Sequence, residues 1–332
     1  MDIEPLKTAG EQLLPLAQKT IPNIVTTLMT TLFLRQNTQT KEIVKLKQQK
    51  LYEMAEEMLE AGQITYYEFY KCKNFLKIAK LADKVKKKQA YEQIPNSEFD
   101  FDWFVRFFEA CSNISNEQMQ GLWAQVLAGE MSNPGSFSLR TIETLKRMTR
   151  NEAVAFSEIS NLAMCTADGM WFVLAEGPSS FNLDEVNDLI IPNTKIRLLQ
   201  ECGLLNPIKD DMLVWYSTKR LVSPIHLNEN FIIHNNDSVL IFHAMDMFKN
   251  PQRKIKKEQS VFFPYYPLTE AGRQLLSIAR AKSEYNFMLE LGNAINCHSN
   301  NLIRTVTAHK VTKCEDGILY FNEDNILKSF DI

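Results

Sequence analysis

The chain has 332 residues, of which 45% are hydrophobic and 23% charged, with a net charge of -3 and six cysteines. That length suits two or three domains with a sizeable core, and the composition excludes global disorder. Only eleven glycines are present, and no G-x-x-x-x-G-K-[ST], G-x-G-x-x-G or G-x-S-x-G sequence occurs, which argues against a phosphate loop, a dinucleotide fold and a nucleophile elbow.

The charge is unevenly placed. Residues 1–90 hold 15 Lys+Arg against 10 Asp+Glu, and residues 91–332 hold 22 against 30. A basic front and an acidic back point to separate roles. Cys72, Cys111, Cys165, Cys202, Cys297 and Cys314 are scattered without a CxxC pair, as reduced cytoplasmic thiols would be. The acidic start (Asp2, Glu4) and the lack of a small-residue cleavage site predict no signal peptide.

Residues 6–34 read as a helix. Ile21, Ile24, Val25, Leu28, Met29 and Leu32 follow helical spacing, while the opposite face carries Thr26, Thr27, Thr30 and Thr31. Nothing is charged between Lys19 and Arg35, a span of about 22 Å as a helix, against the roughly 20 apolar residues of a simple membrane crossing. This stripe is expected to pack on its own protein or a sister subunit; the other reading is a membrane-interacting helix. Residues 39–61 read as a second helix ending at Gly62, and Thr65 caps a third that runs to about Lys88. The short joint makes them an antiparallel hairpin. On the third helix Lys73, Lys77, Lys80, Lys84 and Lys87 share a face, which is either a solvated surface or a binding site for a polyanion, nucleic acid or anionic lipid.

Residues 91–101 read as a linker. Asp102 is expected to cap a helix with Phe104, Phe107, Phe108 and Cys111 inward, beside Trp103. Ser115 and Gln118 suggest a capping box for a helix over 116–130, followed by an Asn133-Pro134-Gly135 turn. Ser136 or Ser138 starts a helix with Leu139, Ile142, Leu145 and Met148 inward, and Asn151 starts another over 152–165. Beyond Asp168-Gly169 the pattern predicts a strand at Met170–Leu174, helices at 183–190 and 194–202, strands at 212–217, 231–233 and 238–243, and a helix capped by Thr269. A short apolar segment follows Asn286, then strands at Ile303–Val311 and Ile318–Phe321. The fold class is therefore a helical hairpin plus helical bundle, followed by an α+β part. The expected division is 1–90, 100–166 and 167–332.

DWFVRFFE (102–109), LWAQVLAGE (122–130) and PGSFSLRT (134–141) resemble the signature of an uncharacterised bacterial domain family. The resemblance implies a family without implying an activity. LLQECGLL (198–205) and PLTEAGRQLL (267–276) resemble the two ends of winged-helix domains, with HLNENFIIHNNDSVLIFHAM inserted between them. A DNA-reading winged helix needs basic residues on its recognition helix, and here Lys195 and Arg197 are opposed by Glu201, with Glu185 and Asp188 just before them. That favours a protein-contact or structural role.

Within the signature, Arg106, Glu109, Glu130 and Arg140 are expected to lock the Pro134-Gly135 turn by charge pairing rather than to catalyse, and Trp103, Trp123 and Phe137 to anchor the core. His226, His234, His243, His298 and His309 form no HExxH, and Cys297-His298 with His309 or Cys314 makes a poor metal set. No catalytic residue, metal or cofactor is expected. The leading expectation is a non-enzymatic, cytoplasmic homo-oligomer that assembles through its N-terminal helices and binds a protein partner or signal with its C-terminal part. The alternatives are a membrane-acting effector of bacterial antiviral defence, placed at the inner membrane, that inserts its N-terminal helices, and a nucleic-acid-binding regulator that uses the lysine face or the winged helix.

Overall fold

The computed structural model describes residues 41–86, 100–166, 169–175, 190–207, 213–215, 230–235, 237–244, 261–263, 265–280, 287–297, 303–315 and 318–331. The expected helices at 6–34 and 183–190 and the linker at 91–101 lie almost wholly outside these residues. The chain separates into two compact units, Met1–Lys146 and Arg147–Ile332.

The first unit is helical. Helix α1 (Lys41–Glu60) ends at Gly62, whose φ of 67° only glycine adopts without strain. Helix α2 (Tyr66–Lys86) follows. Thr65 starts it with a reciprocal cap: the Glu68 amide donates to the Thr65 hydroxyl, and the Thr65 amide donates to the Glu68 carboxylate at 2.8 Å. These bonds hold the Glu68 carboxyl below the usual range. The joint is short and Tyr52 packs edge-on to Phe69 with ring centroids 5.8 Å apart, so α1 and α2 form the expected antiparallel hairpin. Helix α3 (Phe101–Cys111), helix α4 (Glu117–Ser132) and helix α5 (Leu139–Arg147) follow among the described residues.

Aromatic rings bind the unit together. Phe75 of α2 lies 5.7 Å from Phe104 and 5.2 Å from Phe108 of α3. Phe107 stacks on Trp103 and meets Trp123 of α4 edge-on at 5.4 Å. Trp123, Phe75, Phe104 and Phe107 are fully buried. Rings this large dominate core energetics, and their offset and edge geometries add about 0.5–1.5 kcal/mol per pair.

Two helix starts differ from the sequence expectation. Asp100, not Asp102, caps α3: it has extended backbone and accepts from the Trp103 amide at 3.0 Å. Asp102 instead sits in the first turn, where an acid complements the helix dipole. Asn116, not Ser115, caps α4 by accepting from the Met119 amide at 3.1 Å.

The second unit places helices around an antiparallel sheet. Helix α6 (Arg150–Ser160) begins at Thr149, which forms a full capping box with Glu152, so the Asn151 cap is corrected. The helix stops at Ser160 because Met164–Thr166 becomes strand β1, whose backbone pairs with both β2 (Trp171–Leu174) and β4 (Asn230–His234). Helix α7 (Asn193–Glu201), strand β3 (Leu213–Trp215), β5 (Ser238–Ala244), β6 (Val261–Phe263), β7 (Tyr265–Pro267), helix α8 (Glu270–Ala279), helix α9 (Phe287–Cys297), β8 (Ile303–Glu315) and β9 (Ile318–Asp331) follow. Among the described residues the main sheet has seven strands in the order β7-β2-β1-β4-β5-β8-β9, while β3 and β6 pair separately. One sheet face, with Phe172, Leu174, Ile233, Leu240, Phe242, Val306 and Ala308, packs with Phe287, Met288, Leu291 and Ala294 of α9. The segment after Asn286 is thus a helix, β8 runs four residues beyond the expected Val311, and β9 is ten residues longer than expected.

Candidate nucleic-acid interface

Helix α2 divides its residues sharply by side. Cys72, Phe75, Leu76, Ile78, Ala79 and Ala82 are buried, which fixes the helix against its unit. Lys73, Lys77, Lys80 and Lys84 are all exposed. At 3.6 residues per turn these four fall within a sector of about 60° and extend over about 16 Å. Among the described residues no carboxylate forms an ion pair with any of them. Lys87 of the expected face lies outside the described residues. Lys71 is on another side of the helix, with its ammonium 4.6 Å from the centre of the Tyr67 ring. The Tyr67 hydroxyl in turn donates to Asn113 at 2.9 Å. Asn74, buried on α2, donates to the Ser112 carbonyl at 3.0 Å and ties the helix to the end of α3.

The signature residues form a structural lock. Glu130 is 3% exposed. Its carboxylate accepts from the Gly135 amide at 2.6 Å and the Phe137 amide at 3.0 Å. Burial raises the Glu130 carboxyl above its usual value, and the turn's amides pull it back. Gly135 has φ of 86°, which the turn needs. Trp103 donates its indole N–H to the Phe137 carbonyl at 2.6 Å. Gly129 leaves the room that the Phe137 ring fills, since a Cβ there would lie 2.7 Å from Cε2. Pro134 sits within the turn, and Trp123 is a core ring as described. Arg106, Glu109 and Arg140 are exposed, and among the described residues no ion pair joins them to Glu130. The turn is therefore locked by amide-to-carboxylate bonds. Sequence reasoning found the residue and missed its partners, because backbone amides leave no trace in the sequence.

A second lock joins the two ends of the other resemblance. Gly203 ends α7 with φ of 80°. Thr269 donates its hydroxyl to the Gly203 carbonyl at 2.7 Å and accepts from the Gly272 amide at 3.1 Å. The Thr269 amide donates to the Leu204 carbonyl at 3.0 Å, and the Asn206 amide donates to the Pro267 carbonyl at 2.8 Å. Gly272 has no room for a side chain, because a Cβ would lie well inside contact with the Leu204 carbonyl oxygen. On α7, Lys195 is engaged by Glu158 at 2.5 Å and Arg197 is exposed. That helix therefore offers far less unopposed positive charge than α2.

Ile21, Ile24, Val25, Leu28, Met29 and Leu32 lie outside the described residues. Among the described residues no helix is long and apolar enough to cross a membrane. Among them, too, no three His, Cys, Asp or Glu side chains are grouped to hold a metal ion. A family model described as a protein of unknown function (DUF2806) matches residues 62–205. The matched stretch starts at the joint before α2 and ends at the Leu205 strand bridge, so it contains the lysine helix and the turn lock. No curated protein and no solved structure matches the chain.

Proposed function

We propose that the protein is a non-enzymatic nucleic-acid-binding protein that holds the phosphate backbone on the lysine face of α2. The observation that carries this is the row Lys73, Lys77, Lys80 and Lys84: exposed, on one side of a helix whose other side is buried, and unpaired among the described residues. Charged side chains spaced along a rigid rod attract a linear polyanion and release its counterions. Lysine rather than arginine makes up the row, which favours phosphate attraction over base reading. A membrane surface fits less well. An interfacial helix sets large apolar side chains beside its basic ones, and the described residues show no exposed large apolar group between Lys73 and Lys84.

The second unit is, in this proposal, an elaborated winged helix that serves as a protein-contact module. Strand β2, helix α7, strand β3 and strands β6 and β7 follow the winged-helix order. Leu205 bridges Leu268, β3 pairs with β6, and β7 pairs back with β2. The chain between β3 and β6 includes β4 and β5, which extend the sheet from β1.

The test is binding of the full chain to mixed-sequence DNA and RNA, compared with a Lys77→Glu/Lys84→Glu variant. The variant is expected to bind at least about tenfold more weakly at low salt. Equal binding by the two proteins would sink the proposal.

A further inference from the structure

The α1–α2 hairpin is electrically polarised along its length, and the joint shows how. Helix α1 carries Lys41, Lys45, Lys47 and Lys50 against Glu42 in its first ten residues, and Glu53, Glu56, Glu57 and Glu60 with no cation in its second ten. On α2 the end far from the joint holds Lys77, Lys80, Lys84 and Lys86 against Asp83. Because the helices are antiparallel and Tyr52 meets Phe69, residues 41–50 run opposite residues 71–80. The open end, residues 41–50 and 71–86, carries ten lysines against two acids, and the joint end, residues 51–70, carries five acids and no lysine. The hairpin is about 30 Å long, which exceeds the screening length of about 8 Å at physiological salt, so the two ends act as separate fields. Lys50, Glu53, Glu56, Glu57 and Glu60 are exposed and face solvent.

We infer that the nucleic acid seats across the open end of the hairpin, with α1 supplying a second set of phosphate contacts and its four glutamates barring the chain from the joint end. The inference rests on the nucleic-acid reading of α2. It predicts a short footprint that crosses two helices, in place of a strand laid along the whole of α2. Opposed charge at the joint end disfavours a phosphate there by simple repulsion. The same gradient orients an approaching polyanion before contact.

Three variants of the full chain, titrated with a mixed-sequence duplex over a range of salt, test this. Lys45→Gln/Lys50→Gln, with helical content checked by circular dichroism, is expected to weaken binding and to make the slope of log K against log salt shallower by about 1.8. Glu56→Gln/Glu57→Gln changes only exposed groups. It is expected to tighten binding severalfold and to lengthen the protected footprint toward the joint. Lys77→Glu/Lys84→Glu is the control on α2. If the α2 variant loses binding while both α1 variants behave as wild type, the inference is overturned and the nucleic-acid reading stands. If none of the variants changes binding, that reading falls and the inference with it. Vesicles of phosphatidylserine and phosphatidylcholine form the last arm: binding as tight as to the duplex, with the same response to the variants, overturns nucleic acid as the partner.

Discussion

Three glycine-to-alanine changes on helices should have three different outcomes, set by what the new methyl group meets. At Gly272, on the first turn of α8, the methyl would strike the Leu204 carbonyl oxygen, which is backbone and cannot rotate away. That carbonyl also receives the Thr269 amide at 3.0 Å. Overpacking costs about 1–3 kcal/mol and the strained hydrogen bond about 1 more, while alanine regains about 1 kcal/mol of helix propensity. The net expectation is a loss of about 1–3 kcal/mol. At Gly129 the obstacle is the edge of the Phe137 ring, which can shift, so the loss should be smaller, about 1–2 kcal/mol. At Gly121 nothing lies within 4 Å, and the same substitution should stabilise by about 0.5–1 kcal/mol. Hydrogen exchange, read separately over α8 and α4, reports each local opening energy without assuming that the two units unfold together. A Gly272→Ala protein as stable as wild type would refute the close approach of α8 to the end of α7. Destabilisation by Gly121→Ala would refute the open surface of α4.

Further outcomes follow from other groups. Glu130→Gln keeps one acceptor oxygen and turns an amide group toward a backbone N–H, so it should destabilise the first unit by about 2 kcal/mol in urea titrations; a neutral result would contradict the lock. Burial, with the Arg280 charge, holds His234 down to about 4, against an ordinary 6.5. As pH falls through that window the unfolded chain takes up a proton that the folded chain refuses. Stability is therefore present above 6.5 and lost toward 4, by about 3 kcal/mol. Relative to wild type, His234→Phe should lose that much less between pH 7 and pH 4. The self-assembly expected from the uncharged sequence between Lys19 and Arg35 predicts that a chain lacking residues 1–36 has a lower assembled mass in solution than the full chain; an unchanged mass would remove that expectation.

Local signals were legible and long-range ones were not. Gly62, Gly135 and Gly203 marked positive-φ stops, and Thr65 and Thr269 marked caps, because each acts within four residues of itself. Caps moved by one or two residues where two suitable side chains stood together, as at Asp100 and Asp102, or Thr149 and Asn151. Helix α9 was read only as a short apolar segment, although Phe287, Met288, Leu291 and Ala294 stand at helical spacing in it. Strands β8 and β9 looked short because charged and polar residues interrupt their alternation, and register shifts at Ala308–Lys313 break the period of two. The sheet order depends on pairings such as Cys165 with His234 across nearly 70 residues, which no local pattern encodes. The lysine face of α2 was readable from spacing alone. The opposing gradient on α1 acquired meaning only once the hairpin set the two helices side by side.

The most direct test of the central claim is the salt dependence of duplex binding by the full chain. Four lysines on α2 predict a slope of log K against log salt of about -3.6 or steeper, shallower by about 1.8 in Lys77→Glu/Lys84→Glu. A slope near zero, or one that the variant leaves unchanged, would contradict a phosphate-binding role for this helix.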